Sequence, residues 1–193
     1  MPKRTVTDRS LRAIRTRKKL YQSAEKLIDK HGYDNVTIED ICKKANVSVG
    51  AFYHYFSSKM DIIVEIFRQI DDYFEDNVGH VPGENAYETI EAFFRHYAKF
   101  HTDQGVGHTG RILKADGALF LDKTRYTYTR LIELVAVAKA DGVFNKDADP
   151  GAVVDYLLAI ARGLLFDWTL SRGEYDLEAK MAAYIKLAMG SFK

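Results

Sequence analysis

The sequence predicts an all-α protein built in two modules. Apolar residues recur at three- and four-residue spacing through most of the 193 positions, as buried helix faces require. No stretch alternates in the manner of a strand ladder, and there is no internal repeat or low-complexity segment. The breaks between apolar runs fall on glycine, proline and capping residues, where helices begin and end.

The first helix is expected over residues 11–30, with Leu11, Ile14, Leu20, Ala24, Leu27 and Ile28 on its apolar face and His31-Gly32 as its stop. Thr37 suits the N-cap of a second helix over 37–45, with Asp40 in the reciprocal capping position usually held by Glu or Gln. Ser48 suits the cap of a third over 48–56. A fourth, 58–77, carries Ile62, Ile63, Ile66, Phe67, Ile70 and Phe74, and a Gly/Pro-containing break follows at 77–83. Beyond it helices are expected over 84–101, 111–121, 123–140, 152–171 and 176–189, with a glycine-rich loop or irregular turn at 104–110. Pro150 opens a first turn, and Asp141-Gly142 and Arg172-Gly173 act as breaks. Two domains result, 1–57 and 58–193, with the helix 58–77 connecting them.

With 47% hydrophobic and 28% charged residues the chain is an ordinary globular one, long enough for a core without disulfides or metals. The single cysteine, Cys42, has no internal partner and is read first as a small core residue of the second helix, with a redox-sensing thiol as the alternative. No run has the length of a membrane helix and the start lacks the apolar stretch of a signal peptide, so a cytoplasmic location is expected. Charge is unevenly placed. Residues 1–60 hold thirteen Lys/Arg against six Asp/Glu, a balance of +7, which leaves −6 for the rest of a chain whose total is +1. A basic module of this kind supplies the salt-sensitive part of nucleic-acid affinity.

Residues 37–59, TIEDICKKANVSVGAFYHYFSSK, carry the most specific pattern. Two short amphipathic runs meet at a polar break around Asn46, with Ile38, Ile41, Ala45, Val47, Phe52 and Phe56 on the inward stripe. That is the arrangement of a helix-turn-helix, which places its second helix in a DNA major groove. The outward residues of the second run, Ser48, Val49, Gly50, Tyr53 and His54, are small at its start and able to hydrogen-bond at its middle.

With the basic helix ahead of it, this stretch resembles the DNA-binding module of the TetR family of bacterial transcriptional regulators. The resemblance rests on Thr37, Ile41 and Ala45 at four-residue spacing, on the run from Val47 to Phe56, and on Lys59, and it is close over residues 11–67. It implies a three-helix DNA-binding module followed by a helical ligand-binding and dimerisation domain. It further implies a homodimer joined largely through the last two helices, a near-palindromic operator, and repression relieved by a small molecule that moves the DNA-binding heads through the fourth helix. By the same resemblance Thr37 meets a phosphate, Ser48, Val49, Gly50 and Ala51 lead the recognition helix, Tyr53, His54 and Tyr55 contact backbone or bases, and Lys59 anchors the backbone. An arm of Lys3, Arg4, Arg9 and Arg12 is expected at the adjacent minor groove. No Arg, Gln or Asn lies between Ser48 and Tyr55, so direct base readout is thin and phosphate contacts and half-site pairing must contribute.

The second module is rich in aromatic residues, which form core and can also wall an apolar pocket. Candidate ligand contacts are Phe93, Tyr97, Arg111, Phe120, Tyr128, Arg162 and Trp168, for an apolar or aromatic effector. Arg162 and Asp167 lie in an apolar helix at a spacing that does not stack them, so interface or surface placement is expected first and ligand contact second. His96, His101, Asp103 and His108 lack metal-ligand spacing, and neither a metal nor another cofactor is expected. There is no G-x-S-x-G elbow, P-loop or H-E-x-x-H, so the chain is read as a regulator and not an enzyme. An activator, a regulator controlled by a partner protein, and a small-molecule binder with a vestigial DNA module are compatible alternatives.

Overall fold

The structure, a computed structural model, describes residues 8–78, 85–114 and 121–193. Among these every regular element is a helix: α1 (Asp8–His31), α2 (Ile38–Ala45), α3 (Val49–Tyr55), α4 (Met60–Val78), α5 (Ala86–Lys114), α6 (Tyr126–Ala140), α7 (Pro150–Leu170) and α8 (Leu177–Gly190). The chain forms two compact units, Met1–Ile66 and Phe67–Lys193, and the division falls inside α4. The break expected at 77–83 lies, beyond Val78, outside the described residues.

In the first unit α2 lies against α1 and α3 against α2. Leu20, Ala24, Ile28, Val36, Ile41, Ala45, Phe52, Phe56 and Ile62 form the core. Leu11 and Ile14, expected on the buried face of α1, are instead exposed, Ile14 to 61%. The reason is length. Twenty-four helical residues span about 36 Å, while α2 and α3 are only 8 and 7 residues long and cover one end of α1. A charged contact joins α1 to the start of α4, where the buried Glu65 accepts from Arg17 at 2.9 Å and Arg17 lies over the Phe56 ring.

The second unit is built around α5, which touches α6, α7 and α8. Phe74 of α4 meets Phe93 at 4.8 Å between ring centres, and Phe94, Tyr97 and Phe100 continue the aromatic stripe along α5. Of the loop or irregular turn expected at 104–110, the structure has the turn, confined to one residue. Helical geometry resumes at once after a single residue, Gly105, at φ 83° and ψ 165°. Residues eight apart on a straight helix would stand about 12 Å apart. His101 Nδ1 and Thr109 Oγ1 are 3.1 Å apart, so the chain folds sharply back at Gly105. The glycine cluster suggested a loop, yet only one of its members needs a backbone conformation closed to other residues.

α7 begins as the sequence suggests, with Asp149 accepting from the Ala152 N–H at 2.8 Å and Pro150 in the first turn. The α7–α8 turn passes through Arg172 and Gly173, both at positive φ. Trp168 donates from Nε1 to the Tyr175 carbonyl across this turn. A Cβ on Gly173 would stand 2.8 Å from Val106 Cγ2 and 3.5 Å from the Trp168 ring. Gly173→Ala therefore combines backbone strain with a clash and is expected to destabilise the protein by about 2–4 kcal/mol, read as a fall in the thermal or urea midpoint.

Candidate nucleic-acid interface and C-terminal cavity

The outer surface of the helix-turn-helix is set by its caps. The Thr37 hydroxyl accepts the Asp40 N–H at 3.1 Å, while the Asp40 carboxylate accepts the Thr37 N–H at 3.0 Å and the Thr37 hydroxyl at 2.6 Å. These bonds hold the Asp40 carboxyl below its ordinary range. Both groups expected at a phosphate are thus already satisfied within the chain, by an anion. Asn46 ends α2 in the left-handed region at φ 51°, which asparagine tolerates, and its N–H returns to the Cys42 and Lys43 carbonyls. Ser48 then caps α3, its hydroxyl oxygen accepting the Ala51 N–H at 3.1 Å.

α3 divides cleanly into faces. Phe52 is fully buried, and Ala51 and Tyr55 are half-buried. Val49, Gly50, Tyr53 and His54 face outward, one and four residues apart, as one side of a helix requires. Tyr53 is 55% exposed and touches Phe52 by its ring edge, while His54 packs edge-on against Tyr55. Gly50 has no internal need for its missing side chain. A Cβ there would have only Ser48 Oγ within 4 Å, at 3.9 Å, and its φ is not positive. A glycine in a helix costs about 0.5–1 kcal/mol relative to alanine, and nothing inside the unit offsets that.

Lys59, expected to anchor the DNA backbone, makes bonds within the first unit. Its ammonium donates to the Tyr33 carbonyl at 2.6 Å and the Val36 carbonyl at 2.9 Å, and stands 4.0 Å from the centre of the Tyr33 ring. It ties the α1–α2 connection to the start of α4. Of the basic arm, Arg12 is on an exposed turn of α1, Lys3 and Arg4 lie outside the described residues, and so does the side chain of Arg9. Cys42 is buried, and desolvation pushes its thiol up, away from thiolate chemistry.

The second unit encloses a narrow cavity of about 30 Å³. Tyr97, Tyr128 and Arg162, expected as ligand contacts, line it, together with Ile70, His101, Ile112, Asp122, Arg125, Thr127 and Leu158. Two other candidates are elsewhere: Phe93 is sealed against Phe74 and Phe94, and Trp168 holds the α7–α8 turn. Phe120 and the side chain of Arg111 lie outside the described residues. Arg125 is the charged lining residue that the sequence did not single out, because an arginine just ahead of a helix reads as a solvated start. It grips Asp71 of α4 through Nε and Nη2, at 2.9 and 3.0 Å. Burial pushes the Tyr97 hydroxyl up, opposed by the nearby Arg125 and Arg162. Burial, and after it His108, brings His101 down to about 3, so its ring is neutral at physiological pH.

Asp167, the other charge of the apolar α7, accepts from Lys180 at 2.9 Å and from the Tyr175 hydroxyl at 3.0 Å. Among the described residues no three His, Cys, Asp or Glu side chains are grouped to hold a metal ion, and no helix is long and apolar enough to cross a membrane.

The internal bonds of Lys59 lead to a specific expectation. Lys59→Ala should lower the unfolding midpoint of the protein, by about 1–3 kcal/mol for the lost carbonyl and ring contacts. It should leave unchanged the slope of log affinity for DNA against log salt, whereas a lost phosphate contact would reduce that slope by about 0.9.

Residues 20–66 match the family model described as bacterial regulatory proteins, tetR family. Over 206 aligned residues the chain is 23% identical to the protein named "Probable acrEF/envCD operon repressor" of Escherichia coli (strain K12), covering 100% of this chain and 91% of that one. The fold is shared with the regulator FadR of Bacillus subtilis solved in complex with stearoyl-CoA, at a TM-score of 0.70 and 16% identity over 91% of this chain and 99% of that one. It is shared also with TylP, a TetR regulator of Streptomyces fradiae, at a TM-score of 0.68 and 20% identity over 94% and 88% of the two chains. Residues 20–66, which hold the capped helix-turn-helix, thus match the DNA-binding module of the tetR family, and the whole chain shares the fold of regulators that carry it.

Proposed function

We propose that the chain is a cytoplasmic, homodimeric, sequence-specific DNA-binding repressor, released from its operator by a small ligand taken up in the second unit, and that it is not an enzyme. The observation that carries this reading is the outward face of α3. Val49 and Gly50 offer a close-approach, methyl-reading edge, and Tyr53 and His54 offer hydrogen-bonding groups beside it. Gly50 fits the same reading, because its missing side chain serves no contact inside the protein. Thr37, Ser48, Ala51, Tyr55 and Lys59 serve DNA recognition by fixing that face, and the basic first module supplies sequence-independent attraction.

Dimerisation fits the outer sides of α7 and α8. Tyr156, Phe166, Leu170, Tyr184 and Leu187 are exposed there, Leu187 to 75%, beside the small residues Ala159, Gly163 and Ala183. Large apolar side chains concentrated on two neighbouring helices mark an association surface. A second copy of the chain would cover it and set two α3 helices against successive half-sites of a near-palindromic operator. Release by a ligand is supported by the cavity, and by the fold shared with FadR of Bacillus subtilis, which holds stearoyl-CoA. A ligand acts only by binding one state of the protein more tightly than another.

Gel-shift titration against DNA from upstream of the chain's own gene tests the reading, which fails if competitor DNA of unrelated sequence binds equally well. Gly50→Ala should separate folding from function, raising stability by about 0.5–1 kcal/mol while weakening operator binding about tenfold or more. Phe166→Asp should convert the dimer to a monomer in sedimentation, with loss of operator binding at the same protein concentration.

A further inference from the structure

The cavity of the second unit contains a carboxylate site that the chain fills for itself. Arg125 presents Nε and Nη2 to the two oxygens of Asp71 at 2.9 and 3.0 Å, the two-point geometry a carboxylate demands. The Thr127 N–H, in the first turn of α6, adds a third donor at 3.4 Å. α6 has no acidic residue in its first turn and no side-chain cap of its own, so Asp71 serves as its cap from α4. Both side chains are largely buried, Arg125 to 14% and Asp71 to 19% exposure. Beside this fork stands a second guanidinium, Arg162, and both arginines act on the Tyr97 hydroxyl. The Tyr97 and Tyr128 rings, Ile112 and Leu158 supply flat or apolar wall, and His101 and the Asp122 carboxylate, which the Thr124 N–H and hydroxyl already satisfy, also line the cavity.

We propose that the effector of this chain is a small aromatic carboxylate, whose carboxylate replaces that of Asp71 on Arg125 while its ring lies among Tyr97, Tyr128 and Leu158. The proposal rests on the ligand-released reading above and names its ligand class. Arg162 faces the same space and adds a second positive group for the incoming anion. At about 30 Å³ the unliganded cavity is too narrow for a ring, so the ligand binds a state in which the walls have parted and Asp71 has left the fork. That requirement gives the ligand a preference between two states, which release from DNA demands. Asp71 is the natural output, because it belongs to α4, whose earlier turns are part of the first unit.

Competition between Asp71 and the ligand gives a signature that a purely structural ion pair would not. Calorimetric titration of the full-length protein with sodium benzoate is expected to show saturable binding, and uncharged benzamide, of the same shape, none. Asp71→Asn, which removes the competing charge, should bind benzoate about tenfold more tightly than the wild type. Arg125→Lys, which keeps the charge and loses the fork, should bind it at least tenfold more weakly. Absence of benzoate binding, equal binding of benzamide, or unchanged or weaker binding by Asp71→Asn would overturn the proposal. Should Asp71→Asn not fold, the benzoate–benzamide comparison on the wild type decides alone. A gel shift without ligand, run in parallel, separates the outcomes, since sequence-specific DNA binding together with indifference to benzoate removes only this inference.

Discussion

The burial of Phe52 and Phe56 is the constraint on which the DNA-facing surface depends. α3 has only 7 residues, far fewer than a helix needs to persist on its own in water. It exists because Phe52 is sealed inside the first unit and Phe56, just past its end, is sealed with it and carries Arg17 over its ring. The Ser48 cap and the left-handed Asn46 then fix where the helix starts and at what angle the chain enters it. Once those positions are set, Val49, Gly50, Tyr53 and His54 have nowhere to point but outward. Lys59 extends the same logic, for its ammonium is spent on the Tyr33 and Val36 carbonyls. The outward face is thus set by its buried back, and on the proposed reading several residues that resemble contacts act as the frame that holds it.

Much of this was legible in the chain because it is local. Thr37 with Asp40, Ser48 ahead of VGAFYHY, and Asp149-Pro150 are signals whose chemistry is complete within four residues, and the structure uses each as a cap. What was not legible depends on distance. The apolar face of α1 was visible, but not that its partners are too short to cover Leu11 and Ile14. The glycines near residue 105 were visible, but not that only Gly105 departs from helical geometry, a choice settled by the return of Thr109 onto His101. Arg125 could not be singled out at all, since its partner is 54 residues away on another helix.

The ligand candidates divide for the same reason. Tyr97, Tyr128 and Arg162 line the cavity, while Phe93 and Trp168, equally attractive by composition, are absorbed by packing. An aromatic residue at helical spacing is core unless a polar group keeps its neighbours apart. In the second unit the Arg125–Asp71 pair and Arg162 are those groups, which a solidly apolar core would have no reason to hold. Core and cavity wall are thus drawn from one set of residues, separated by where the charged groups fall.

The central claim is that a rigidly framed α3 reads DNA in pairs. Hydroxyl-radical footprinting of the full-length protein on DNA from upstream of its own gene tests that claim most directly. The account predicts two protected patches of equal width, related by a dyad and separated by about one helical turn or somewhat more. A single patch, or uniform weak protection that spreads with protein concentration, would contradict it.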